Sequence, residues 1–245
     1  MRRFYNGKID ENTNFFSLSG KEAHHLKTVL RLKTGEEVTF TNGKGLDFLT
    51  KIEKLEKNSA EFSIINIFKG KKDSHIKISL GFSMIKGKKN DELIKPLTEI
   101  GVFEIIPYIS KRSVSDPDEK KKSGKIERWT ELAKEALKQC ERSYLPKIRE
   151  VAQFEEIITN TDDYDLKIMF HERTTISSKI LLEKYKSPQK ILAIVGPEGG
   201  FTDEEKQAAL NFGFETISLG PRILRAETAS LAAAFLCQHL FGDIQ

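Results

Sequence analysis

The chain has only two cysteines, Cys140 and Cys237, and they form no CxxC pair. That scarcity argues against a zinc ribbon or a disulfide-stapled scaffold and makes reduced thiols the expectation. No apolar run approaches the roughly 20 residues that cross a bilayer. The opening Met1-Arg2-Arg3-Phe4-Tyr5-Asn6 soon turns polar and lacks a secretory core. A cytoplasmic location without a membrane partner is therefore expected. There is no GxxxxGK[ST] loop, which disfavours nucleoside triphosphate hydrolysis. Gly81 and Gly87 do not make a GxGxxG after the first strand of the second half, and no GxSxG elbow exists for an α/β-hydrolase. His24 and His25 are adjacent, so on a helix they point about 100° apart and do not form an i, i+4 metal pair. No metal is expected. No internal repeat and no low-complexity tract beyond lysine runs is present.

What the 245 residues do have is charge, at 31%, against 38% apolar residues. This is the composition of a globular protein. The net charge of +4 is unevenly spread. Residues 1–150 hold 31 Lys and Arg against 22 Asp and Glu, or +9, and residues 151–245 hold 9 against 14, or −5. A basic front suits a polyanionic partner; lysines that merely solvate the surface are the plain alternative.

Residues 1–72 read as a β-rich module: a first strand in Arg2–Ile9, then strands at Val38–Phe40, Asp47–Ile52 and Ala60–Ile65, with Asn42-Gly43 as a hairpin turn. Ser19-Gly20-Lys21-Glu22 is a capping box that opens a helix through Leu30. The polar stretch Lys69–Ser74 marks a boundary. Residues 73–245 then alternate strand and helix, the grammar of a mainly parallel α/β sheet. Strands are expected at Ile76–Met84, Val102–Ile109, Leu166–Phe170 and Ile191–Val195. Helices are expected at Asn90–Ile100, Lys125–Glu141, Ser177–Tyr185 and Thr228–Leu240. Pro96 should kink the first of these or end it early. Asp116-Pro117-Asp118 and Lys120-Lys121-Lys122 read as a mobile charged loop. Glu135, Gln139 and Arg142, at i, i+4 and i+7, share a helix face, by itself an ordinary solvent face.

Two neighbouring segments carry the strongest signal. In Ile191-Leu192-Ala193-Ile194-Val195-Gly196-Pro197-Glu198-Gly199-Gly200-Phe201 a doubly buried strand runs into a glycine loop, and Thr202 with Glu205 caps the helix that follows. Ile217-Ser218-Leu219-Gly220-Pro221-Arg222-Ile223-Leu224-Arg225-Ala226-Glu227-Thr228 repeats that grammar. In open α/β sheets ligands sit at such strand ends, so one shared pocket with Glu198, Arg222, Arg225 and Glu227 is expected.

These two segments resemble the RsmE family, the 16S ribosomal RNA uracil-N3 methyltransferases of the SPOUT superfamily. His24-His25-Leu26 with Val29-Leu30-Arg31 is similar to the family's N-terminal motif. Thr98-Glu99-Ile100-Gly101-Val102 and Glu135-Ala136 with Gln139, Arg142 and Pro146 are similar to its middle motifs. The resemblance covers nearly the whole chain. It departs at Pro96, where the family usually has lysine, and at Cys140, where it usually has serine. It implies a PUA-like β-barrel over 1–72 that grips RNA and a SPOUT domain over 73–245 with a deep C-terminal trefoil knot. It also implies a homodimer with the pocket near the subunit interface, and it moves the Glu135, Gln139 and Arg142 face toward substrate or interface. The partner would be 16S ribosomal RNA or the small subunit.

The implied cofactor is S-adenosylmethionine, expected against His171, Glu172, Gly196, Pro197, Glu198, Gly199, Gly200, Leu219, Gly220, Arg222, Ile223, Leu224 and Thr228. Uracil N3 must lose a proton before it attacks, and the resulting charge spreads onto O2 and O4. Arg225 is the expected charge stabiliser and Glu198 the expected proton acceptor, with Glu227 its rival. RNA contacts are expected at Arg2, Arg3, Lys27, Arg31, Lys86, Arg112 and Arg142, with Lys88 and Lys89 beside Lys86. Ribose 2′-O-methylation and a non-catalytic RNA-binding role in ribosome assembly are the alternatives.

Overall fold

The computed structural model describes residues 2–113, 119–174 and 176–245, without the side chains of Lys21 and of residues 119–123. Two compact units form. The first extends to Asp73 and takes in Leu137–Leu145; the second holds Ser74–Ala136 and Pro146–Gln245.

The first unit is a curled five-stranded sheet, a half-barrel, of order β1-β3-β4-β5-β2. Its strands are β1 (Arg3–Tyr5), β2 (Phe15–Ser19), β3 (Glu37–Thr41), β4 (Leu46–Leu55) and β5 (Ser59–Lys69). β1 runs parallel to β3, and the other pairings are antiparallel. The β3–β4 turn forms at the expected place. Asn42 Oδ1 accepts the Lys44 and Leu46 amides at 2.8 and 3.2 Å, and Gly43 takes the left-handed φ of 72° that this turn requires. Strand β2 was not anticipated; it packs Phe16 against Phe40 and Phe62, with centroids 4.9 and 5.0 Å away. The helix expected through Leu30 is short: α1 (Lys21–His24) passes into a π turn over His25–Val29 that buries Leu26.

The second unit is a seven-stranded sheet, order β12-β10-β11-β6-β7-β8 with β9 also on β7, and each pairing is parallel. The chain order is β6 (Lys77–Ser83), α2 (Lys89–Glu99), β7 (Glu104–Ile109), α3 (Glu119–Cys140), β8 (Lys147–Ile148), β9 (Ala152–Gln153), α4 (Phe154–Thr159) and β10 (Leu166–Phe170). It continues through α5 (Lys179–Lys184), β11 (Lys190–Val195), α6 (Asp203–Asn211), β12 (Glu215–Ile217) and α7 (Ala226–Phe241). β11 reads as a continuous apolar run because both of its faces are covered. Leu192 and Ile194 join Phe154, Ile157 and Ile158 of α4 and Ala209 of α6 in one core cluster, while α7 packs on β6 and β11.

Three expectations change here. Helix α2 does not stop at Pro96, because Leu93, Ile94 and Leu97 around it are fully buried and hold the element together. Lys120–Lys122 belong to α3 rather than a loop, while Asp116-Pro117-Asp118 lies outside the described residues. Arg142 does not share a face with Glu135 and Gln139. The helix ends at Cys140, and Glu141, with φ 63°, turns the chain away before it.

Candidate active site

The carboxyl ends of β12, β10 and β11, three strands side by side, converge on one cleft. β11 is pinned at its end by Tyr108, whose buried hydroxyl donates to the Val195 carbonyl at 2.8 Å. Beyond Val195 the chain reverses: the Gly200 amide donates to the Pro197 carbonyl at 2.9 Å, and Gly200 sits at φ 69°. This left-handed φ favours glycine, and a Cβ there would also have to move the Glu172 carboxylate aside. Thr202 and Glu205 then cap α6 reciprocally, with Thr202 Oγ1 accepting the Glu205 amide and Glu205 Oε2 accepting the Thr202 amide. The buried Glu205 also accepts the Lys111 amide at 2.9 Å, which ties down the segment after β7. At the end of β12, Ser218 and Gly220 form a tight turn, with the Gly220 amide donating to Ser218 Oγ at 3.1 Å and the Ser218 hydroxyl to the Gly220 carbonyl at 3.0 Å.

The cleft encloses about 470 Å³ including its mouth. His171, Glu172, Gly196, Pro197, Gly200, Leu219, Gly220, Arg222 and Leu224 line it, together with Phe170, Val195, Ala226 and Ala229. The last four were not anticipated; they are apolar residues at element ends that carry no chemical signal of their own. Of the other expected cofactor residues, Gly199 lies against Arg112, whose Nη1 donates to its carbonyl at 2.9 Å. Thr228 lines a neighbouring apolar groove. Glu198 and Ile223 line a second recess with Lys89, Leu224 and Arg225.

His171 is the buried polar side chain of the cleft lining, which also includes Glu172 and Arg222. It is 3% exposed and stacks beside Phe201 at 6.3 Å. Its Nδ1 accepts the Arg173 amide at 3.0 Å, so the ring proton resides on Nε2. Burial holds its pKa below the usual 6.5 and keeps the ring neutral. Nε2 is buried and, among the described residues, has no partner. An unpartnered neutral donor, in a cleft lined by backbone turns, apolar side chains, Glu172 and Arg222, fits a ligand with polar or charged groups and an aromatic or aliphatic body.

In the second recess Lys89 Nζ lies 2.8 Å from Glu198 Oε1 and 3.5 Å from Glu227 Oε1. Glu227 Oε2 is buried without a partner among the described residues. Arg225 occupies the N-cap position of α7 in extended backbone, and its side chain is exposed. Leu224 faces both the cleft and this recess. The expected catalytic residues Arg225, Glu198 and Glu227 are thus brought to one place. Lys89 joins them.

The expected RNA-contact residues divide. Arg2, Lys27, Arg31, Lys86 and Arg112 are exposed. Arg3 and Arg142 are turned inward. Arg3 Nη2 binds Asp47 Oδ1 at 2.7 Å, and Arg142, 3% exposed, binds Asp73 through Nε at 3.0 Å. Among the described residues no group of three His, Cys, Asp or Glu side chains is placed to hold a metal ion, and no helix is long and apolar enough to cross a membrane.

A parallel α/β sheet with a glycine-lined cleft at the carboxyl ends of its strands defines a ligand-binding α/β domain, which follows a small β-rich unit in the sequence. Residues 72–238 match the family described as RNA methyltransferase domain, and residues 18–65 match the RNA methyltransferase PUA domain. The chain therefore belongs to the RNA methyltransferase family whose members are named ribosomal RNA small subunit methyltransferase E. The relative of that name in Bacillus subtilis is 30% identical over 95% of this chain and 94% of its own. The one in Buchnera aphidicola from Acyrthosiphon pisum is 34% identical over 100% and 95%. The solved structure of ribosomal RNA small subunit methyltransferase E from Neisseria gonorrhoeae, bound to S-adenosyl methionine, superposes with a TM-score of 0.89 at 30% identity, covering 100% of both chains.

Proposed function

We propose that this protein methylates N3 of a uridine in 16S ribosomal RNA of the small subunit, with S-adenosylmethionine as the donor. The supporting observation is that Leu224 is shared by the cleft and by the recess that Arg225, Glu198 and Lys89 line, with Glu227 reaching Lys89 at 3.5 Å. A donor in the first therefore lies beside acid–base groups in the second. When bound, S-adenosylmethionine supplies an electrophilic sulfonium methyl whose carbon–sulfur electron pair departs with sulfur. His171 Nε2–H and the turns at Gly196–Gly200 and Leu219–Gly220 hold the donor, and Arg222 covers it. Glu198 accepts the N3 proton of an unstacked uracil, and the Arg225 guanidinium takes the charge on a ring oxygen.

The same reading gives the first unit the task of gripping RNA through Arg2, Lys27 and Arg31, and leaves Arg3 and Arg142 out of that footprint. It also places a second copy on the apolar groove along α7, which Ile100, Leu231, Phe235 and Leu236 line. A C-terminal trefoil knot is part of the proposal, supported by β11 entering between β10 and β6 before β12 adds outside β10. So is a cytoplasmic location, where ribosomal subunits are found.

The test is nucleoside mass spectrometry of small-subunit RNA treated with the protein and S-adenosylmethionine. 3-Methyluridine is the expected product. A 2′-O-methylated nucleoside or unmodified RNA overturns the reading.

A further inference from the structure

Lys89 sits among three basic residues that read alike in sequence, yet the structure treats it differently. Lys86 and Lys88 are exposed. Lys89, the first residue of α2, is held between Glu198 and Glu227. The next residue, Asn90, is 1% exposed and clasps the loop: its Oδ1 accepts the Ile85 amide at 3.0 Å, and its Nδ2 donates to the Ile85 carbonyl at 2.6 Å. A lysine meant only for phosphate needs no such clamp, since phosphate contact is a point-charge interaction on a flexible stem. The clamp fixes the start of α2 beside the recess that Arg225 also lines.

We propose that Lys89 is a second catalytic cation, which donates to one carbonyl oxygen of the target uracil while Arg225 serves the other. This rests on the uracil-N3 reading above. Loss of the N3 proton leaves a ring whose charge is shared by O2 and O4, on either side of N3, so two donors match it better than one. In the free protein, Glu198 Oε1 at 2.8 Å occupies the place of that oxygen. When uracil enters, its carbonyl oxygen replaces Glu198 on Lys89, and the released carboxylate takes the N3 proton. The N–H bond breaks, an O–H bond forms on Glu198, and the electron pair stays on N3 for attack. Glu227 keeps Lys89 in place throughout. In the free protein the hydrogen bond to Glu198 pushes the Lys89 ammonium pKa up, and Glu227 stays beside the ammonium once Glu198 has left it.

The experiment compares Lys89→Met with the double variant Lys86→Met/Lys88→Met, using 3-methyluridine formation on small-subunit RNA, RNA affinity against salt and calorimetric S-adenosylmethionine binding. Lys89→Met should lower kcat by about 100-fold. Its RNA affinity and salt slope should stay those of the wild type, and Lys89→Arg should recover most of the rate. The double variant should instead weaken RNA binding and flatten the salt slope. If Lys89→Met keeps kcat within about threefold, or loses RNA affinity with a flatter slope instead, Lys89 is a phosphate contact and the proposal falls. Should Lys89→Met fail to bind S-adenosylmethionine, Lys89→Gln, which keeps a donor but no charge, carries the same comparison. A wild-type product other than 3-methyluridine overturns both this proposal and the reading beneath it; wild-type product with an undiminished Lys89→Met overturns this one alone.

Discussion

Arg142 and Asp73 form a buried ion pair, Nε to Oδ1 at 3.0 Å, with side chains 4% and 11% exposed. Asp73 also accepts the amides of Ser143 and Tyr144, so one carboxylate anchors the returning segment to the end of the first unit. Removing one member of such a pair leaves a buried charge without compensation, at a cost of about 3–5 kcal/mol. Arg142→Ala should therefore lower the denaturant midpoint of the first unit's unfolding, while the RNA salt slope of the surviving folded protein stays unchanged. A normal midpoint with a flatter slope would return Arg142 to the RNA surface.

His171 predicts a pH dependence. Burial lowers its folded-state pKa below the usual 6.5, with Lys206 and Arg173 adding to the effect and Glu172 and Asp203 opposing it. The neutral ring is favoured by the fold, so the stability it contributes is complete above pH 6.5 and is lost as pH falls through the depressed folded value. Melting temperature should drop between pH 7.5 and 5, and less so in His171→Gln. S-adenosylmethionine affinity should fall in a further variant, His171→Phe, even at pH 7.5, because it removes the N–H donor that His171→Gln retains. An identical pH dependence in the wild type and His171→Gln would place the titrating group elsewhere.

The sheet was legible where hydrophobic pattern and turn chemistry agree. Leu166–Phe170 is a strand as read, Asn42-Gly43 turns β3 into β4, and Thr202 with Glu205 caps α6. Short elements escaped. Strand β2 does alternate, with Phe16 and Leu18 inward, but it is only five residues long and opens on the exposed Phe15, and β8 and β9 hold two residues each and exist only because β7 offers an edge. The glycine loops advertised the cleft because their backbone needs are local. The carboxylate recess was half legible. Glu198, Arg225 and Glu227 stand out near their glycine turns, but Lys89 is 109 residues from Glu198 and looks like its lysine neighbours. Only the tertiary fold separates it from them. For the same reason Arg3 and Arg142 read as surface charge, although Asp47 and Asp73 hold them inside.

The two thiols should behave differently. Cys237 is 1% exposed on α7, and burial pushes its pKa up to about 12. The thiolate is the reactive form, so this group is protected twice over. Cys140 is partly exposed at the end of α3. A disulfide-exchange reagent should titrate Cys140 alone in the native protein and both thiols after denaturation. Fast reaction of Cys237 in the native state would mean that α7 opens far more often than its packing on β6 and β11 implies.

Arg225 should separate chemistry from binding. Its guanidinium lines the recess and not the cleft, so Arg225→Ala removes a charge stabiliser without touching the donor's walls. Methyl transfer should fall by about 100-fold or more. S-adenosylmethionine affinity should stay within about tenfold, or about 1.4 kcal/mol. Calorimetry with single-turnover methylation measures both. Wild-type turnover in the variant would leave Lys89 as the sole cation and remove Arg225 from the mechanism.

Two glycines allow a matched test of how tightly the cleft is built. Gly200, at φ 69°, has the Glu172 carboxylate where a Cβ would go, whereas Gly124 lies inside α3 with open space around it. Alanine at Gly124 suits the helix and should stabilise the protein by about 0.5–1 kcal/mol. Alanine at Gly200 meets left-handed strain of about 1–2 kcal/mol and must also displace Glu172 from the cleft wall. Gly200→Ala should therefore lower the melting temperature and weaken S-adenosylmethionine binding by more than tenfold, roughly 1.4 kcal/mol. Gly124→Ala should raise the melting temperature and leave binding as it was. Thermal melts with and without the donor decide it. If Gly200→Ala keeps its ligand-induced shift, the Gly196–Gly200 turn does not clasp the donor, and the binding site must be sought along the Leu219–Leu224 segment instead.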